Sequence, residues 1–321
     1  MTTHLRRIAA LACVITLAGV FAAPAPRAAA APRRHPAVYL AERAAVTPPR
    51  YWTRARMDAA RNVGSTARVP AAPADARSSP SAADGDDPFV FGARWTGGGA
   101  VTRTTGRVFF TLDGTGYGCS GSVVASANAS VVMTAAHCVS NGDGGWATHW
   151  VFVPGYHDGH EPYGSYPART FLVASSWEHG ADEGDDVAFV VVGPAKVNGA
   201  ERRVAKVVGS QPVTFGSRGA IQTVFGYPSQ APYDGQLLDY CAGMLLPDPY
   251  GAADAGVDCT MTQGDSGGPW FTGFNPRTGR GTITGVTAFR YANDSLTLYS
   301  ANLGAAARTL YEKAQHAPWR F

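Results

Sequence analysis

The sequence predicts an all-β fold, a barrel or a sandwich, finished by one C-terminal helix. From Gly106 onward, short runs of β-branched and aromatic residues alternate with clusters of Gly, Pro, Asn and Asp, the pattern of strands joined by turns. Helical periodicity is missing until Leu303 to Gln315, where Leu303, Ala307, Leu310, Tyr311 and Ala314 recur at three- and four-residue steps. The 321 residues are 45% hydrophobic, which supplies a large core, and Gly 38 with Pro 22 stays below what an unstructured low-complexity chain carries.

The first 94 residues stand apart from that pattern. Arg6 and Arg7 precede an uncharged apolar run from Ile8 to Ala23, and Ala28-Ala29-Ala30 supplies small residues before Ala31, the layout of a secretory signal peptide over 1–30. Pro24 and Pro26 end the run before it reaches the length of a membrane anchor. Residues 31–94 are rich in Ala, Arg and Pro, with a short helix-like patch from Tyr51 to Met57 and a linker-like tract of Ala, Pro, Ser and Asp from Val69 to Pro88. The patch is too small to build its own core, so 31–94 reads as pro-segment and linker, and 95–321 as the folded domain. A small independent binding module is the alternative for the patch.

Charge divides at the same place. Residues 1–94 hold 13 Lys and Arg against 6 Asp and Glu, whereas 95–321 hold 14 against 18, a net charge of −4. An acidic domain argues against nucleic acid as a partner. Nothing after residue 30 is apolar for long enough to cross a membrane as a helix, so the mature chain is expected outside the cell and off the membrane. Cys13 leaves with the signal, and Cys119, Cys138, Cys241 and Cys259 remain, an even set that suits disulfides in an exported chain. Four cysteines allow three pairings, and the short spans 119–138 and 241–259 favour the local one. No two of the four have the close spacing of zinc ligands.

In the domain itself, strands are expected at Val108–Phe110, Ser130–Met133, Trp150–Val153, Val187–Val192 and Ile221–Phe225. Three strings beside these strands carry chemistry. Thr134-Ala135-Ala136-His137-Cys138 follows an apolar strand directly, and its alanines let backbone pack around the imidazole. Gly264-Asp265-Ser266-Gly267-Gly268-Pro269 has the glycines for a tight turn that exposes a hydroxyl and aims N–H groups at one point. Asp186 heads the apolar strand Val187-Ala188-Phe189, where a buried carboxylate needs a donor such as a histidine N–H. Asp182 and Asp185 are rivals for that role but do not head the strand. A fourth string, His157-Asp158-Gly159-His160-Glu161, offers four potential metal ligands; flanked by Gly155 and Pro162, it reads better as a solvated turn, and no metal or other cofactor is expected.

The first three strings resemble the His, Asp and Ser motifs of the trypsin/chymotrypsin-like serine peptidases, in that family's order and across roughly residues 95–315. Phe225-Gly226-Tyr227-Pro228, with a short chain between Asp186 and Ser266, is similar to a bacterial secreted branch that includes glutamyl endopeptidases. The resemblance implies two six-stranded antiparallel barrels with a C-terminal helix and a cleft between the barrels. It implies Ser266 as nucleophile, His137 as general base and acid, Asp186 as the group that orients the imidazole, and the N–H groups of Gly264 and Ser266 as the oxyanion hole. It also assigns the specificity pocket to Thr260, Gln263, Thr287, Phe289 and Arg290. Thr260 is neutral where trypsins carry aspartate, and Thr287 stands where glutamyl endopeptidases use histidine, so apolar or neutral residues should be preferred and basic ones accepted least. Arg290, expected at the pocket rim, favours some acidic acceptance. Protein or peptide substrates and a monomer are the implied partners and state, and a catalytically inactive binding relative is the competing reading. Animal relatives bring a new α-amino group to the acid before the serine, here Asp265; Arg94 before Trp95 is the nearest candidate cleavage point.

Overall fold

Runs of Val, Phe and Thr pleat into strands, and turns at Gly and Asp reverse them, so that neighbours in sequence become neighbours in a sheet. The computed structural model describes residues 38–41, 51–62, 65–67, 89–250 and 252–320. The expected signal peptide 1–30 and linker tract 69–88 lie outside the described residues. The elements before the domain are β1 (Val38–Ala41), α1 (Arg54–Asp58), β2 (Arg61–Asn62) and β3 (Ser65–Ala67). There follow β4 (Val90–Arg94), α2 (Gly99–Thr104), β5 (Thr105–Leu112), β6 (Thr115–Val124), β7 (Val131–Thr134), β8 (Thr148–Pro154), β9 (Tyr166–Ala174), α3 (Ser175–Glu178) and β10 (Ala188–Val192). A hairpin of β11 (Ala195–Val197) and β12 (Ala200–Arg202) and the short α4 (Val204–Val208) lead to β13 (Ile221–Gly226), β14 (Asp239–Met244), β15 (Leu246–Pro247) and β16 (Ala255–Asp258). The chain ends with β17 (Pro269–Asn275), β18 (Arg280–Tyr291), β19 (Thr297–Asn302) and α5 (Ala305–His316).

Six of these strands form a closed antiparallel barrel in the order β5, β6, β7, β10, β9 and β8, the ring being completed by β8 against both β9 and β5. Its interior is filled by Val108, Phe110, Val132, Trp150, Phe152, Phe171 and Val190, all without exposure. The second sheet runs β15, β16, β19, β18, β17, β13, β14 and β4. Here the structure departs from the expected pair of closed barrels, because β14 and β16 do not pair among the described residues and the sheet is a curled half-barrel. The Cys241–Cys259 disulfide links β14 to the residue after β16 instead. The expected C-terminal helix is present as α5, which buries Ala307, Leu310 and Ala314 and packs against β9 and β10 of the closed barrel.

The expected start of the domain at residue 95 falls inside continuous structure. Strand β4 pairs with β14, Arg94 Nε lies 3.5 Å from Asp239 Oδ1, and the Trp95 N–H donates to Leu238 O at 2.9 Å. The edge strand of the second sheet therefore comes from residues before 95.

Candidate active site

Strand β7 delivers the histidine. After Thr134 the chain turns once through Ala136–Cys138, with Ala135 and Ala136 fully buried, so only small side chains fit beneath the imidazole. Strand β10 pairs with β7 in the register Ala188↔Thr134, which carries Asp186, two residues before β10, alongside that turn. Asp186 is wholly buried and its two oxygens are both used: Oδ1 accepts the His137 backbone N–H at 2.8 Å and Oδ2 lies 2.6 Å from His137 Nδ1. A buried carboxylate held this way fixes both the tautomer and the tilt of the ring. The rivals are engaged elsewhere, Asp185 accepting the Ser176 hydroxyl at 2.5 Å and Asp182 the Gly184 N–H at 3.1 Å.

The serine loop seats against the histidine loop. Gly267 has φ +82, and a Cβ there would stand 2.1 Å from Thr134 Oγ1 and 2.9 Å from Ala135 N. Gly264 has φ +103 and leaves no room for a Cβ beside Ser229 Oγ and Tyr227 O. Only glycine satisfies both the backbone angles and the close approach. The Gly267 N–H donates to Thr287 O and the Gly268 N–H to Asp265 O, which closes the turn around Ser266. Ser120, which no motif in the sequence singles out, ties the halves together. Its N–H donates to Ser266 O at 2.7 Å, its hydroxyl donates to Gly264 O at 2.9 Å and accepts the Tyr227 N–H at 2.9 Å. A single serine inside a strand has no sequence signature for that role. The disulfides are Cys119–Cys138, beside His137, and Cys241–Cys259, the local pairing that the spacing favours.

Two solved structures share this arrangement of strands at substantial identity. A crystal structure of protease Anisep from Arthrobacter nicotinovorans is 38% identical, with TM-score 0.62, over 67% of this chain and 96% of that one. A thermostable serine protease, AL20, from an extremophilic microorganism is 33% identical, with TM-score 0.62, over 68% of this chain and all of that one. The chain belongs to the trypsin/chymotrypsin-like serine proteases. It is thus a peptidase by family, with protein or peptide as the substrate class. A Glu endopeptidase at 17% identity and TM-score 0.55 shares the protease fold alone, as does a scabies mite inactivated protease paralogue at 15% and 0.51. No family model matches the chain. An extracellular metalloprotease of Bacillus subtilis (strain 168) is 32% identical over 113 residues, 35% of this chain, and the chain spans about a third, 34%, of that protein.

The protease's residues offer little to a metal. Among the described residues, one group of three candidate ligands, Cys119, His137 and Cys138, brings its donor atoms within 4.8 Å of one another. The two sulfurs are bonded to each other as a disulfide, so neither can serve as a thiolate ligand, and His137 Nδ1 is held by Asp186. The His157–His160 string is a turn, closed by the His160 N–H on His157 O at 2.7 Å, with both imidazoles exposed.

The five pocket residues are only partly together. Thr260 is exposed, its hydroxyl donating to Phe91 O of β4 at 2.8 Å and lying 3.1 Å from Tyr233 Oη. Gln263 is half-buried and accepts from Gln230 Nε2 at 2.9 Å. Thr287 does not face the pocket: it is 1% exposed and accepts the Trp270 indole N–H at 3.0 Å. Phe289 stacks on Tyr299 in the core, at 5.3 Å between centroids. Arg290 is not a free rim cation. Its guanidinium donates to Cys259 O and Met261 O on either side of Thr260 and to Ser295 O, and burial lowers its pKa. It braces the backbone on both sides of Thr260.

Proposed function

We infer that this protein is a secreted serine endopeptidase that acts as a monomer, without a cofactor, through Ser266, His137 and Asp186. The observation that carries the reading is the buried Asp186–His137 pair at 2.6 Å in a loop packed directly on the Ser266 turn. Ser266 is a weak nucleophile at neutral pH, so His137 takes its proton as the hydroxyl oxygen attacks the scissile carbonyl. Asp186 holds the imidazole in the tautomer with Nδ1–H and steadies the imidazolium. The N–H groups of Gly264 and Ser266 stabilise the developing oxyanion, and loss of one such donor costs about 3 kcal/mol. His137 then protonates the leaving amine, and water repeats the sequence on the acyl-enzyme. The family also contains an inactivated paralogue, so fold alone does not decide activity; all three reactive groups are present here.

Cleavage after basic residues is disfavoured, since Thr260 is neutral and Arg290 sets a positive charge beside it. Incubation of the mature protein with a peptide library, beside its Ser266→Ala and His137→Ala variants, tests both points. We expect cleavage after neutral and some acidic residues, and loss of about three orders of magnitude or more in each variant with the fold retained. Substantial turnover by pure Ser266→Ala would overturn the nucleophile, and a profile led by Arg and Lys would overturn the pocket.

A further inference from the structure

The segment before the domain makes contacts that a passive spacer would not. Trp52 is 9% exposed, its indole N–H donates to His149 O at 2.5 Å, and its ring lies 5.5 Å from Phe109 between centroids. Met57 is 2% exposed in the same apolar cluster, and Tyr51 stacks flat on His149 at 3.7 Å. These side chains fasten α1 to β5 and to the start of β8. Next, β2 adds to β6 as a parallel strand, Arg61 opposite Tyr117 and Asn62 opposite Gly118, and Asn62 Nδ2 donates to Ser229 O at 2.8 Å. Then β3 adds to β18, again parallel, with Ser65 opposite Phe289 and Ala67 opposite Tyr291.

Both borrowed edges border the reactive loops. Gly118 precedes Cys119, whose disulfide partner Cys138 follows His137. Ser229 donates its N–H to Gln263 O, one residue before Gly264. Phe289 lies two residues beyond Thr287, whose N–H and C=O pair with Gly268 and Gly267. An extended chain laid on such edges is bound by backbone hydrogen bonds, as peptides are when they add to a sheet.

The direction of the segment matters. His137 must hand its proton to the leaving amine, so the leaving half of a substrate lies toward His137 and β6, and the acyl half toward β18. A productive chain therefore runs, N to C, from β18 to β6. The segment runs from β6 to β18. On both edges the segment is therefore opposite in polarity to a productive substrate.

We propose that residues 51–62 and 65–67 are an inhibitory module of this chain, anchored by Trp52 and Met57, that occupies the substrate-binding edges of β6 and β18 in reverse polarity. The occupant is the chain's own segment, and the surface it covers is the one a substrate must use. This rests on the serine-peptidase reading and adds what holds the enzyme silent before processing.

The test measures the rate at which a fluorophosphonate labels Ser266, a single covalent event that needs no turnover. It compares the intact full chain, the chain after its linker is cut and the segment removed, and intact chains carrying Trp52→Ala or Asn62→Ala, with mass spectrometry confirming that each intact chain stays uncut. Occupancy of nine molecules in ten slows labelling about tenfold, so we expect at least that difference between intact and processed chains, and a gain toward the processed rate in both variants. Cooperative thermal unfolding of each variant guards against misfolding. Amide exchange on the intact Ser266→Ala chain gives a second readout: protection along Phe289–Tyr291 that is lost when the segment is removed. Equal labelling of intact and processed chains, with no change in that protection, overturns the proposal. Labelling of no form overturns the peptidase reading, and this one with it.

Discussion

Asp265, one residue before Ser266, is 3% exposed, and its Oδ2 has no hydrogen-bond partner. Burial pushes its pKa up to about 7, against the pull of Arg290, a backbone N–H and His137. Asp254 is likewise pushed up to about 7 by burial, opposed by Arg218 and reinforced by Asp248, Asp182 and Glu183. Both carboxyls hold protons in the folded protein that the unfolded chain releases, so their contribution is complete below about pH 4 and fades as pH rises toward 7. The unfolding midpoint of the Ser266→Ala protein, which cannot digest itself, should therefore fall from pH 4 to pH 7, and Asp265→Asn should flatten part of that slope. A midpoint that climbs through this range in both proteins would show that the buried carboxyls are not protonated. At this scale the buried His137–Asp186 pair was legible, because both residues sit in strings beside apolar strands. Ser120 and the inward turn of Arg290 were not, since their partners are carbonyls of Gly264, Cys259 and Met261, far away in sequence.

The strands were legible where β-branched residues run together, and β5, β7, β8, β10 and β13 contain or overlap the expected runs. Closure was not, because it depends on which distant edges meet rather than on local pattern. In the closed barrel β8 meets β9 by hydrogen bonds, whereas β14 and β16 of the half-barrel are joined by Cys241–Cys259. That difference gives the second disulfide a larger share in holding its sheet. Cys241 and Cys259 both lie in a small apolar cluster with Val224, Val257, Met261, Trp270 and Leu298, close to the pocket wall at Thr260. A disulfide closing a loop of 18 residues contributes about 3 kcal/mol. The double variant Cys241→Ser with Cys259→Ser should lose about that much in denaturant unfolding, with a weaker KM for peptides and a smaller change in kcat. Unchanged stability and KM would show that β14 and β16 hold their positions without the bridge.

At the scale of the whole molecule, the segment before the domain was half legible. Its composition sets it apart from the domain, and α1 forms at the helix-like patch, but nothing local announces where Trp52 and Met57 dock, because a helix of five residues has no core and its partners lie in strands far along the chain. Residues just before the expected boundary at 94 also take part in the second sheet. Phe91 O accepts both the N–H and the hydroxyl of Thr260, and Trp95 packs edge-on against Phe225, Tyr240 and Phe274 at 5.2–5.5 Å. Cutting after Arg94 would strip β4 from the half-barrel and open the pocket at Thr260. Cutting in the Ala-, Pro- and Ser-rich tract 69–88 would release α1, β2 and β3 together while leaving β4 in its sheet, and a tract of that composition is also the kind of chain that proteases enter. We therefore expect processing to leave a chain that begins upstream of Phe89, as read by N-terminal mass spectrometry. A chain made to start at Trp95 should unfold at lower temperature and turn over peptides more slowly than one that starts just before Phe89. Equal stability and activity of the two would mean that β4 is dispensable and that the domain does begin where its sequence first suggested.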